Sequence, residues 1–211
     1  MATTVTFYTS GDGVAAQADS SGSTWALRRA GPGTRHYSSP TNNYDFECNS
    51  NGSYWQIYRG CQPFDTSSLP DNATISSATF NMYSTGAGGH VDNQSIYLIG
   101  TSLTTITANG DFVTANFDFT KDYGHVAQTT WSNGAGWGAL SLSSNGLSFI
   151  NKTGMTYFGM CYSLDRSGDS TAPTGLNYFN YRSSSYASYV PYLSVTYDVP
   201  TSGTGNFLAF M

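Results

Sequence analysis

Few side chains in this sequence suit acid–base or metal chemistry, and their spacing does not help. His36, His90 and His125 lie far apart in Gly-, Ser- and Asn-rich surroundings, outside any His-x-x-x-His or Cys-x-x-Cys pattern. A zinc site or catalytic imidazole is therefore not indicated. Glycoside hydrolysis usually takes two carboxylic acids with separated pKa values, and Glu47 is the single Glu, so such a pair would have to involve Asp. No Gly-x-Ser-x-Gly elbow is present, and nothing selects a Ser/His/Asp triad from so many Ser and Asp. Asp165-Arg-Ser-Gly-Asp169 sets two carboxylates around a glycine, the form of a calcium loop; a solvated polar turn is the simpler reading. The sequence thus nominates no catalytic residue, no metal ligand and no cofactor.

What it offers instead is stacking. Aromatic residues make up 15% of the 211 positions and charged residues only 10%. Tyr37, Tyr44, Trp131, Trp137, Tyr186 and Tyr189 fall in segments read as loops, where flat rings can form a platform for sugars. Core packing or subunit contacts would account for the same rings. Trp131-Ser-Asn-Gly-Ala-Gly-Trp137-Gly is the strongest candidate, because two indoles on a Gly-rich loop are hard to bury fully, and Trp131, Trp137, Tyr186 and Tyr189 make up the candidate glycan-binding set. Arg59 is different: the pattern places it in a central strand beside Trp55, Ile57 and Cys61, where a guanidinium must find carboxylate or carbonyl partners, so a structural ion pair is expected.

The elements that must position these residues are strands. Helix-surface residues are scarce while β-branched and aromatic residues abound, which excludes a helical bundle. Alternating runs predict strands at Thr3–Tyr8, Trp25–Ala30, Tyr44–Cys48, Tyr54–Phe64, Ile75–Tyr83, Ser95–Gly100, Met155–Tyr162, Leu176–Arg182 and Tyr189–Asp198. Asn109–Phe117 and Ser144–Ile150 read as short surface helices. Many short strands with no long crossover helix predict an all-β, antiparallel two-sheet β-sandwich, jelly-roll-like, with one or two short surface helices. Residues 1–198 form the expected single domain, followed by a linker from Val199 to Asn206 and an apolar tip of Phe207, Leu208, Phe210 and Met211.

Charge and cysteine content narrow the partners. A net charge of −5 leaves no basic stripe for nucleic acid, and no run approaches the roughly 18 apolar residues of a membrane span. Met1 to Tyr8 reads as a strand rather than a signal peptide, so the expectation is synthesis in the cytoplasm without Sec export, unless a signal has been removed. Cys48, Cys61 and Cys161 are expected as buried thiols, with a Cys48–Cys61 bridge as the alternative.

The stretch Ile57-Tyr-Arg-Gly-Cys-Gln-Pro-Phe-Asp-Thr-Ser-Ser-Leu-Pro70, continued by Ala73-Thr-Ile-Ser-Ser-Ala-Thr-Phe80 and Met82-Tyr83, resembles the DNRLRE-type β-sandwich domains, as does the closing Pro191-Tyr-Leu-Ser-Val-Thr-Tyr197. A second likeness rests on Thr6-Phe-Tyr8, Asp12-Gly13, Ser23-Thr-Trp-Ala26, Ile150-Asn-Lys-Thr-Gly154, Phe158-Gly159 and Thr171-Ala-Pro-Thr-Gly175. These are similar to structural proteins of tailed bacteriophages. The resemblance implies a non-enzymatic virion component (a head decoration, head fibre or tail-associated protein) with capsid or tail proteins as partners and contact with glycans. A bacterial extracellular carbohydrate-binding module and a hydrolase with an unmarked site are the alternatives; the family motif marks strands and carries over no catalytic residue.

The apolar tip calls for cover, since exposed in water it would be an aggregation liability. One tail would anchor weakly, whereas several held together anchor firmly, so a homo-oligomer, by preference a trimer, is expected. Deleting residues 201–211 should then lower the mass of the particle in solution by light scattering; an unchanged mass leaves the tail a local role only.

Overall fold

The computed structural model describes residues 1–20, 24–38, 43–50, 54–131, 134–168 and 171–200. Asp169 and the tip residues Phe207, Leu208, Phe210 and Met211 lie outside the described residues, as do the side chains of Tyr44, His90 and Trp131. The chain is an all-β, antiparallel sandwich-like fold.

Two long strands act as spines. In the first sheet, β6 (Thr74–His90) carries β10 (Gly136–Ser141) on one edge. Its other edge pairs first with β12 (Asn177–Arg182) and then with β13 (Tyr192–Asp198), end to end. β1 (Thr3–Tyr8) extends the sheet beyond β13. In the second sheet, β5 (Tyr54–Asp65) pairs with β2 (Gly13–Ser20), which carries β3 (Arg35–Ser38). On its other side lies β11 (Met155–Tyr162), followed by β7 (Ser95–Thr101) with β8 (Phe117–Asp118) and β9 (Gly124–Ala127). β4 (Asn43–Ser50) joins the two: residues 43–47 pair with β12 and residues 48–50 with β5.

Alternation fills the space between the sheets. Ala78, Phe80 and Met82 of β6, Leu193 and Val195 of β13 and Phe7 of β1 are buried there, and Phe80 meets Phe64 of β5 edge-on at 5.9 Å. β5 is covered on both faces, so Tyr58, on the side opposite Ile57, is also in the core and stacks on Tyr37. The connection from β5 to β6 crosses between sheets. Asp65 accepts from the Ser67 amide (3.1 Å) and hydroxyl (2.6 Å), and the buried Thr66 hydroxyl reaches Asn151 O (2.6 Å) and Gly154 O (3.0 Å).

Several expectations need correction. Trp25–Ala30 is a helix, α1, because Thr24 Oγ1 accepts from Leu27 N (3.3 Å) and Ala, Leu and Arg are strong helix formers. Four short α-helices are present among the described residues, the others being α2 (Gln128–Trp131), α3 (Ser144–Phe149) and α4 (Ser163–Ser167). The expected helix at Asn109–Phe117 is instead two 3-10 turns, Asn109–Phe112 and Thr114–Asn116, after which Phe117 enters β8. Nor do the two segments expected as surface helices stay on the surface, since Phe112 enters the core and Leu147 and Phe149 pack against it. Trp137 sits on a strand, β10, rather than a loop.

Arg59 makes the expected ion pair. It is fully buried, with Nε on Asp165 Oδ2 (2.8 Å) and Nη2 on Asp165 Oδ1 (2.7 Å) and Arg29 O (3.0 Å). Nη1 donates to Phe112 O, and the Phe112 ring lies 4.1 Å from the guanidinium carbon. Arg29 Nε adds a second ion pair to Asp165 Oδ1 at 3.3 Å. Asp165 is therefore neither a solvated turn residue nor a calcium ligand: it is fully buried and its oxygens face two guanidinium groups. Asp165→Ala is expected to cost about 3–5 kcal/mol, because it strands a buried cation. Urea unfolding measures this, and a loss below about 1 kcal/mol would contradict it.

Cys48, Cys61 and Cys161 are free and buried. Burial, with smaller contributions from the charges of Asp12 and Asp111, pushes the Cys61 thiol from 9.0 up to about 12. Burial likewise raises Cys48 and Cys161 well above that ordinary value, with Asp165 adding to both. Above pH 9 the unfolded chain releases thiol protons that the folded chain retains, so stability is fully present below that pH and falls as pH rises beyond it. Under reductant, the urea midpoint should hold level to about pH 9 and decline by pH 10.5; a flat profile would count against protonated buried thiols.

Candidate functional site

Which residues face outward on the first sheet follows from those that face inward, because successive side chains alternate. With Phe7, Ala78, Phe80, Met82, Leu140, Leu193 and Val195 inside, their neighbours line the outer face. Strand register sets these in rows: Thr4, Thr196 and Ser77; then Thr6, Ser194, Thr79 and Ser141; then Tyr8, Tyr192, Asn81 and Ala139; and finally Tyr83 with Trp137. No position in these rows is charged. One end of the face is hydroxyl-rich and the other carries rings.

The rings touch in series. Tyr186 stacks on Tyr189 (5.5 Å between centroids), and Tyr189 on Tyr83 (3.9 Å). Trp137 meets Tyr83 at 5.7 Å and Tyr192 at 5.1 Å, both edge-on, and Tyr192 reaches Tyr8 at 6.0 Å. Trp137 is 47% exposed and Tyr8 64%, so the cluster is not core. Beside it lies a groove of about 340 Å³ lined by Tyr8, Trp137, Ala187, Ser188, Val190 and Tyr192. That is at the lower end of the range for small-ligand sites.

Tyr186 and Tyr189 come from the loop between β12 and β13, and that loop is tied down. The buried Asp12 accepts from Ser184 N (2.7 Å) and Ser184 Oγ (2.8 Å). Tyr186 N bonds Ser183 O (3.1 Å), Tyr189 N bonds Tyr186 O (2.9 Å), and Thr9 N bonds Pro191 O (2.9 Å). Two turns thus aim both rings at β6. The Arg182 guanidinium lies over the Tyr186 ring at 4.1 Å.

The structure brings Trp137, Tyr186 and Tyr189 together; Trp131 ends α2, and its side chain lies outside the described residues. Tyr37 is paired with Tyr58 away from this face. Tyr8, Tyr83 and Tyr192 were not singled out from sequence, yet a signal existed. Once Phe7, Phe80, Met82 and Leu193 are placed inside, parity alone sends all three outward.

Other polar groups are engaged elsewhere. His36 Nδ1 meets Asn109 Oδ1 at 2.7 Å, while His125 pairs with Asp122 (2.8 Å) and lies against Tyr97 (4.7 Å). A second hollow of about 300 Å³ includes Asp118 and Tyr123. Its carboxylate serves a turn: hydrogen bonds from Thr120 hold Asp118 below its usual range, and Tyr123, nearly buried, is raised by that burial and then by Asp118. Among the described residues, no cluster of His, Cys, Asp and Glu suited to a metal ion is found, and no helix is long and apolar enough to cross a membrane. No protein-family model matches the chain, and comparison with curated proteins finds no match.

Proposed function

We propose that this chain is a non-enzymatic β-sandwich that contacts glycans through the rings of Trp137, Tyr8, Tyr83, Tyr186, Tyr189 and Tyr192. The observation that carries the reading is this connected, half-exposed ring cluster beside a groove, held by strands and by a loop that Asp12 ties down. Apolar ring faces take the C–H faces of sugars, and the tyrosine hydroxyls serve their oxygens. The setting we propose is the virion of a tailed bacteriophage, as a head decoration, head fibre or tail-associated protein. The sequence likeness to phage structural proteins supports it, and an intact particle imaged with this chain fitted into its density would test it.

The glycan reading is tested with labelled protein on a glycan array, beside Trp137→Ala. Wild type should bind at least one sugar class and the variant should lose it. Because the indole is 47% exposed, its removal should cost about 1 kcal/mol or less, against about 3–5 for a buried Trp. No sugar bound by wild type, or an equal signal from the variant, would overturn the platform; turnover of the bound sugar would overturn the non-enzymatic part.

A further inference from the structure

We infer that the ligand of this face is a neutral polysaccharide chain, which leaves the rings and runs down the hydroxyl rows toward Thr4 and Thr196. This rests on the platform being a glycan contact and adds to it the class and reach of the glycan.

The charge pattern comes first. The chain has 13 acidic and 8 basic residues, yet none stands in the rows from Thr4 to Trp137; on the same sheet Asp198 lies one step beyond Thr196, paired with the N-terminal ammonium at 3.3 Å, and Arg182 lies on β12. Along these rows a carboxylated, sulfated or phosphorylated polymer would find no guanidinium or ammonium, since Arg182 is engaged over the Tyr186 ring and the N-terminal ammonium with Asp198, and a net charge of −5 repels it. A neutral polymer meets neither obstacle.

The hydroxyl pattern comes second. Three neighbouring strands repeat a hydroxyl at every second residue: Thr4-Val-Thr6, Ser194-Val-Thr196 and Ser77-Ala-Thr79. Strand geometry spaces these by about 4.8 Å across the sheet and about 6.6 Å along it. Each hydroxyl both donates and accepts, as do the hydroxyls of a sugar polymer. Thr4 Oγ1 and Thr196 Oγ1 are already hydrogen-bonded at 2.9 Å, which orders the far row before any ligand arrives. Protein interfaces are depleted in Ser, so a second protein is the poorer fit.

Continuity comes third. Tyr8 and Tyr192 line the groove and stand two residues from Thr6 and Ser194 on the same strands, so the groove and the rows are neighbours on one face. From the Tyr8 row to the Thr4 row is about 13 Å along the strand. A single sugar held at the rings does not reach that far, whereas a chain of several does.

The test is affinity electrophoresis in gels containing neutral polymers (a β-glucan, a galactomannan, dextran) or anionic ones (alginate, polygalacturonate), with calorimetry on disaccharides of whichever polymer retards the protein. Thr4→Val with Thr196→Val removes two of the three far hydroxyls, the hydrogen-bonded pair, and keeps the β-branched shape that strands favour. The expected result is retardation by a neutral polymer, insensitive to salt, weakened about tenfold by this double variant while disaccharide affinity is unchanged. Thr6→Val with Ser194→Ala serves as the second pair if melting shows the first to be misfolded. If Trp137→Ala abolishes binding but both hydroxyl pairs leave polymer affinity intact, the extended track is overturned and the platform stands. Retardation by anionic polymers alone overturns the neutral class. If no saccharide binds at all, the platform and this inference fall together.

Discussion

Burying the Arg59 guanidinium inside β5 is the constraint on which the rest of the packing depends. A cation taken out of water there is tolerable only with its hydrogen bonds made, and four are supplied from three separate segments: Asp165 on α4, Arg29 at the end of α1 and Phe112 at the end of a 3-10 turn. None of these segments is a strand of the sandwich. The guanidinium therefore fixes where three short irregular pieces must lie, and its rigid fork leaves little latitude in their angles. Phe112 and Phe119 flank the same group at 4.1 and 4.8 Å, so the polar cluster is sealed by rings as well as satisfied. One buried charge thus lets β5 be covered on both faces and freezes the loops that cover it.

The other carboxylates explain the composition. Asp far outnumbers Glu because most described Asp residues hold turns rather than pair with bases. Asp12 holds Ser184, Asp92 holds Thr174 N at 3.1 Å, Asp111 caps Thr107 N and Ala108 N, and Asp122 holds Gly124 N at 2.8 Å. Asp65 and Asp118 do the same within their own turns and are held below the usual carboxylate range by those bonds. A one-carbon stem lets a carboxylate reach a nearby amide, which the longer Glu does less well. Acidity is thereby spent largely in the loops, and the rows from Thr4 to Trp137 on the outer face of the first sheet are left uncharged.

Much of this was legible in the sequence wherever one period dominated. β6 and β13 are readable from alternation because each buries one face and shows much of the other, whereas β7 and β11 are readable as apolar runs of strand length whose second face is covered by Phe117. α1 is ambiguous in sequence: Thr24 followed by Trp-Ala-Leu-Arg-Arg-Ala carries both a cap and strong helix formers, yet a six-residue stretch that starts apolar after a Gly/Ser turn also has strand length. β10 was missed because Gly136 and Gly138 stand where inward side chains would announce a strand. That Arg59 needed a partner was legible; that the partner is Asp165, 106 residues away, was not, because spatial neighbours at that separation leave no local trace. The ring cluster was half legible for the same reason, since Trp137, Tyr186 and Tyr189 stood out by composition while Tyr8, Tyr83 and Tyr192 needed the register.

The end-to-end pairing of β12 and β13 on one edge of β6 explains how a binding face can be built without disturbing the core. Had the two been one continuous strand, residues 183–191 would be committed to the ladder and their side chains to its two faces. Breaking the strand frees that stretch to rise over the sheet, where it supplies Tyr186, Tyr189 and one wall of the groove. The break costs few hydrogen bonds, because turns within the loop and the Asp12 carboxylate re-pair its amides. β6 keeps its partners on both sides of the gap, so the loop can change in shape and sequence while Phe80, Met82, Leu193 and Val195 stay packed. Selectivity for a ligand can therefore vary at the ring end, where the loop contributes, while the hydroxyl rows are fixed by the strand parity that also builds the core.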